Sequence, residues 1–139
     1  MANICEYTMC VKGTKENVKE FLLRMTREYE EGKHFFRIFE CDTEYEHETS
    51  DGLYFAKLSG FCAWSIAACM RKTEMSYYSI SNDPNKSCIE DTCIELNLEW
   101  EVISKEPGMG FEEFVHIKGS EILRDECVEY RDDYFEMEN

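Results

Sequence analysis

The chain has 139 residues, 43% of them hydrophobic and 14% aromatic, a composition that fits a single domain over 1–139 with its own core and excludes a disordered acidic tract. Its 30 acids against 15 Lys and Arg give a formal net charge of −15 at pH 7, which repels phosphate backbones and anionic membrane surfaces, so direct nucleic-acid or membrane binding is not expected. The opening residues Met1 to Met9 carry neither a basic n-region nor an apolar h-region; a cytoplasmic location is expected, and the eight cysteines are read as reduced, mostly core, thiols.

In chain order, Cys5, Tyr7, Met9 and Val11 alternate with Glu6, Thr8 and Lys12, the period of a half-buried strand over 4–12. Gly13 breaks it and Thr14 can cap a helix whose apolar positions Val18, Phe21, Leu22, Met25 and Tyr29 recur at helical spacing until Gly32. Phe35, Phe36, Ile38, Phe39 and Cys41 predict an aromatic strand from Lys33 to about Asp42, and Leu53 to Leu58 predicts another. The polar segment 43–52 between them reads as a long hairpin loop. The charge-free run from Ser59 to Met70, rich in small residues and too short to span a bilayer, reads as a strand end turning into a buried helix at the centre of the core.

Residues 71–86 look irregular, with a turn at Asn82-Asp83-Pro84. Ser87 with Glu90 forms a capping-box pattern for a short helix that buries Ile89, Cys93 and Leu96 and stops at Asn97. Leu98, Trp100 and Val102 predict a strand, Glu106 to Gly110 a turn, Phe111 to Lys118 a return strand, Gly119-Ser120 a second turn, and Ile122 to about Tyr130 a last strand before an acidic end. This order packs most simply as an α+β fold, an antiparallel sheet with helices on one face; the β-α-β-β-α-β subset matches ferredoxin-like topology, which implies no iron–sulfur cluster.

Three stretches carry a resemblance: the strand opening Met1 to Cys5, the Cys-Ala-Trp-Ser hub within Ser59 to Met70, and the Glu-Pro-Gly-x-Gly-Phe turn from Glu106 to Phe111. Together they resemble small proteins of bacterial, phage and plasmid genomes related to the YubB-type ferredoxin-like family. The resemblance implies that fold and a mobile-element setting in the host-cell cytoplasm; it transfers no catalytic residue and no cofactor.

Catalytic or metal chemistry has little to stand on. The cysteines lack pairs at structural-zinc spacing: Cys5 and Cys10 fall on opposite faces of a strand, Cys88 and Cys93 diverge around a helix, and Cys62 and Cys69 would sit roughly 10 Å apart along one. Cys62, near the start of the hub helix, is the one candidate for a thiol activated by a helix dipole, yet His34, His47 and His116 are all remote in sequence. Phosphate-loop patterns are absent. No enzyme, metal or cofactor is expected.

The acidic segments stand out. Glu40, Asp42, Glu44, Glu46, Glu48 and Asp51 run without an intervening Lys or Arg, and if the segment were extended its even-numbered acids would project from one face about 6.6 Å apart as a negative ribbon. A second cluster comprises Asp125, Glu126, Glu129, Asp132, Asp133, Glu136 and Glu138, and Tyr45, Tyr130, Tyr134 and Phe135 add aromatic contact area. Charge runs are ordinarily solvated loops that keep a protein soluble. The sharper expectation is a binding surface made of Asp42, Glu44, Tyr45, Glu46, Glu48 and Asp51 with Asp125, Glu126, Glu129, Tyr130, Asp132 and Asp133. Its partner would be the basic surface of a host nucleic-acid-binding defence complex, inhibited by nucleic-acid mimicry in the manner of an anti-CRISPR protein. The other expectation is a non-enzymatic interaction module that forms a homodimer through an exposed edge strand.

Overall fold

The computed structural model describes residues 3–129. In β1 (Ile4–Gly13) the expected alternation holds: Cys5, Tyr7, Met9 and Val11 are buried while Glu6 and Thr8 face out. Thr14 caps α1 (Lys15–Thr26), its hydroxyl accepting the Asn17 backbone N–H at 3.3 Å, and Val18, Phe21 and Met25 are buried beneath it. The helix stops at Thr26, short of Gly32. There Arg27 turns extended and sends its guanidinium to Glu20 and the Lys33 carbonyl, while Glu28 and Glu31 form a capping box of their own around a 3-10 turn at Tyr29–Glu31.

The expected strand from Lys33 starts later, because His34, Phe35 and Phe36 are drawn inward and buried; Phe35 N–H donates to the Arg24 carbonyl and Phe36 N–H to that of Cys69. β2 (Ile38–Glu48) then runs through most of the segment expected to be a loop, which shrinks to a tight turn closed by Thr49 and Leu53. β3 (Tyr54–Ala63) leads into α2 (Ile66–Met70), the strand-to-helix hub read from the sequence, with the Ser65 hydroxyl accepting the Ala68 N–H at 2.9 Å. The segment 71–86 holds one short helix, α3 (Tyr77–Ile80). α4 (Ile89–Glu95) follows without the expected capping box: Cys88 is the N-cap with no side-chain bond, the Ser87 hydroxyl is buried without a partner, and the Glu90 carboxylate accepts from Arg71 and from the Lys72 N–H instead. β4 (Glu99–Glu106), β5 (Phe111–Lys118) and β6 (Glu121–Glu129) complete one sheet in the order β2-β3-β1-β4-β5-β6, every neighbouring pair antiparallel.

The fold is thus α+β, six antiparallel strands with a few short helices over one face. The core lies between them, around the fully buried Trp100, whose indole N–H donates to the Met9 sulfur at 3.3 Å. Two buried cations tie the helix layer together. Arg24 joins α1 to α4 through Glu20, Thr92 and Glu95, and Arg71 reaches from α2 to Glu90 and to Asp125 on β6.

At the β2 end the sheet depends on one close approach. The Tyr7 hydroxyl donates to the Glu40 carbonyl at 2.6 Å, and that carbonyl lies where a side chain at Gly60 would be: a Cβ there would sit 1.8 Å from the Glu40 oxygen and 2.6 Å from the tyrosine oxygen. Gly60→Ala is therefore expected to destabilise the protein by about 1–3 kcal/mol or more, because backbone must shift, whereas Tyr7→Phe, which loses only a hydrogen bond, is expected to lose about 1 kcal/mol. Urea unfolding of both variants checks the order.

Candidate protein-binding surface

Opposed residues in an antiparallel ladder share a face, so the pairing registers assign every strand position to the helix side or to the open side. On the open side no described element covers the sheet. Its centre carries Glu6, Thr8, Cys10 and Lys12 from β1 beside Glu99, Glu101, Ile103 and Lys105 from β4. Three shallow hollows follow this face. One of about 150 Å³ is lined by Cys10, Lys12, Phe55, Glu99, Glu101 and His116; one of about 460 Å³ by Glu6, Thr8, Ile103, Lys105 and Glu112; one of about 260 Å³ by Glu6, Thr8, Glu40, Asp42, Ser59 and Phe61. Carboxylates recur in all three.

Aromatic rings stand among those acids. Tyr45 stacks at 6.0 Å on His47 and Phe55, His47 lies 5.2 Å from Phe55, and the Arg124 guanidinium sits 4.5 Å over Phe114. The His116 imidazole is 2.7 Å from Glu99. The neighbouring Asp42 carboxylate pushes the Glu40 carboxyl above its ordinary value. The arrangement places acid groups around half-exposed aromatic area.

The sequence-derived ribbon is corrected in one respect: its acids do not share a face. A bulge between Thr43 and Tyr45 inserts an extra residue and reverses the alternation. Glu40 and Asp42, opposite Phe61 and Ser59, lie on the open face, whereas Glu46 and Glu48, opposite Ala56 and Tyr54, lie on the helix side. Glu44, at the bulge, is 3.6 Å from Lys57, and Tyr45 is on the open face. Glu46 is engaged by Lys19 at 2.5 Å and by the Tyr54 hydroxyl at 3.0 Å; the lysine holds its carboxyl below the usual range. Asp51 belongs to the turn, where the Thr49 hydroxyl and then Lys12 hold it down to about 2.

The second cluster divides as well. Asp125 is gripped by both terminal nitrogens of Arg71, at 3.2 and 3.0 Å, and serves to pin β6 to the helix layer; it is therefore occupied within the fold. Glu126 pairs with Arg124 at 2.9 Å on the open side, and Glu129 ends β6 opposite Phe111. Tyr130, Asp132 and Asp133, with Tyr134, Phe135, Glu136 and Glu138, lie outside the described residues.

Cys62 is also corrected. It sits on β3 before the helix cap, fully buried, and contacts with the Cys5 and Cys69 thiols together with burial push its thiol far up, so no dipole-activated thiolate forms there. Cys69 approaches Cys62 across the strand-to-helix turn, where a single helix would have separated them. Among the described residues no group of three or more His, Cys, Asp and Glu side chains is placed to hold a metal ion, and no helix is long and apolar enough to cross a membrane.

Sequence reasoning missed Glu6, Glu99, Glu101 and Glu112. Each was visible as the charged half of a period-two strand, but which sheet face lacks a cover is a property of the whole fold. Two further acids, Glu106 and Glu113, are buried for structural reasons: Glu113 accepts the Ile66 and Ala67 N–H groups at 2.8 and 3.0 Å and the Ser104 hydroxyl at 2.7 Å, and Glu106 accepts the N–H groups of Gly108 and Met109. No protein-family model, curated protein or solved structure matches the chain.

Two expectations follow from this geometry. Arg71 lowers the Asp125 carboxyl below its ordinary 3.8. A carboxyl depressed in the folded state gives stability that is present above its unfolded value and lost as pH falls through the folded one. Asp125→Asn should therefore lower the urea midpoint at pH 7 and narrow the gap to wild type at pH 3; an undiminished gap at pH 3 would dismiss the coupling. Cys127, the one exposed cysteine of the eight, should give the fast phase in titration with a thiol-reactive aromatic disulfide, and Cys127→Ser should remove that phase.

Proposed function

We propose that the protein is a non-enzymatic binding protein that presents its open, acidic sheet face to a basic surface of a host nucleic-acid-handling complex and so keeps nucleic acid off that surface, as an anti-CRISPR inhibitor acting by mimicry would. The observation that carries this reading is the uncovered sheet face itself, where Glu6, Glu40, Asp42, Glu99, Glu101 and Glu112 surround Phe55, Phe61 and Ile103. Such a face repels phosphate and attracts the Lys and Arg that normally hold it, while its aromatic and aliphatic area supplies contact that charge alone lacks. The β1-α1-β2-β3-α4-β4 path with strand order β2-β3-β1-β4 supports a ferredoxin-like unit extended by β5 and β6, and with it the YubB-type, mobile-element reading taken from the resemblance.

The test is capture from host lysate at low and high salt, with wild type beside Glu6→Lys/Glu99→Lys/Glu101→Lys. Recovery of a nucleic-acid-binding complex by wild type alone, and only at low salt, is the expected result. Absence of any charge-dependent partner rejects the reading.

A second reading, a homodimer, is favoured by one specific feature of β6. Among the described residues this strand ends the sheet, and Arg124 and Glu126 are placed symmetrically about Asp125, so two copies paired antiparallel about that residue would bring Arg124 of each opposite Glu126 of the other. Light scattering over a concentration series should then show a dimer that Arg124→Glu abolishes.

A further inference from the structure

The other edge of the sheet presents a different opportunity. β2 is an edge strand of eleven residues, and no strand among those described pairs with its outer side, so that row of backbone N–H and C=O groups is open. Beside it, on the helix side, runs a groove of about 380 Å³ between α1 and β2, lined by Lys19, Leu22, Leu23 and Thr26 from the helix and Cys41 and Thr43 from the strand. Leu23 is 51% exposed in that groove, an apolar side chain on α1 with nothing over it. A helix flanking an open strand edge is the geometry in which an extended segment adds to a sheet, with the backbone bonding to the edge and alternate side chains entering the groove.

We propose that the β2 edge and the α1–β2 groove form a docking site for an extended basic segment of a partner protein, which adds to the sheet as a further strand. The inference rests on the reading above, that the partner surface is basic, and it names the form in which part of that surface is bound. Charge selects the occupant. The strand carries Glu40, Asp42, Glu44, Glu46 and Glu48 and no Lys or Arg. A second copy of β2 would set these acids against their own kind, so self-pairing is opposed; a strand bearing Lys or Arg meets a complementary partner along the same path.

The bulge that split the acidic ribbon here gains a use. It leaves Glu40 and Asp42 on the open face and Glu46 and Glu48 on the helix side, so the added strand meets carboxylates on both of its faces, with the apolar stretch of the groove between them. Glu40 and Asp42 stand together on the open face, where Asp42 pushes the Glu40 carboxyl above its ordinary value, and a cation placed between them relieves that repulsion. The segment that fits alternates small apolar residues, directed at Leu22, Leu23, Cys41 and Thr43, with Lys or Arg directed at the open-face acids.

The test uses the whole protein and a fluorescein-labelled peptide of alternating Lys and Val, about nine residues and roughly 30 Å long when extended. Fluorescence anisotropy is compared with the same peptide N-methylated at every second residue, which keeps charge and side chains but removes the backbone donors of one edge. Strand addition predicts that N-methylation weakens binding by about tenfold or more, and that Leu23→Asp, a change at a half-exposed position whose fold is checked by circular dichroism, weakens it comparably. Equal binding of the methylated peptide, unchanged binding to Leu23→Asp, or no binding of the unmodified peptide would each overturn the proposal. Charge-dependent recovery of a nucleic-acid-binding complex from lysate alongside any of these results would leave the open-face reading standing, whereas loss of both would remove the two together.

Discussion

Register governs this molecule more than any single contact does. In an antiparallel ladder each residue shares a face with the one opposite it, so once β1 is fixed between β3 and β4, every side chain of the six strands is committed to the core or to the open side. The helices are short, from four to twelve residues, and cover one side of the sheet only. The commitment is reset where a bulge intervenes, between Ile38 and Glu40, between Thr43 and Tyr45, and across from His116 and Ile117, always in a pair that includes an edge strand. Gly60 belongs to the same logic: lacking a side chain, it lets the Glu40 carbonyl close on the Tyr7 hydroxyl and so holds the first bulge against the central strands.

Where local pattern and global packing agree, the sequence was readable. The β1 alternation, the strand-to-helix hub and the β4–β5 return all depend on side chains that bury on one face, and period alone reveals them. The failures have physical causes that lie outside any local window. The α1 pattern continued to Tyr29 because Tyr29 is apolar, but that ring stacks on His34 at 4.6 Å from a separate 3-10 turn. Ser87 and Glu90 had capping-box spacing, yet the buried guanidinium of Arg71 took the glutamate, and a buried charge left unpaired is far more costly than an unfilled cap.

The candidate surface was legible in its chemistry and not in its geometry. The density of acids between Glu40 and Asp51 is visible in the chain, but polar composition suggested a loop where β2 continues, and ideal alternation could not foresee the extra residue at Glu44. Asp125 looked like one more exposed acid because its partner Arg71 is 54 residues away in the chain. The open face was the largest omission. Glu6, Glu99 and Glu101 read as ordinary solvent-facing positions in two separate stretches, and only the strand order brings β1 and β4 side by side.

The two edges of the sheet are managed differently, and the difference follows from where their charges are spent. On β6, Asp125 is drawn into the helix layer by Arg71 and Glu126 is approached by Arg124, so two of the strand's acids meet a cation within their own copy. On β2, Lys19 and Lys57 approach Glu46 and Glu44 from α1 and β3, but the strand itself contributes no cation, and Asp42 beside Glu40 raises the Glu40 carboxyl above its ordinary value. Edge strands need some device against indiscriminate pairing, and like charge is among the commonest. Here that device is one-signed and stands beside an apolar groove, so the same residues that oppose pairing with another copy of the chain are the ones that the proposed basic strand would meet.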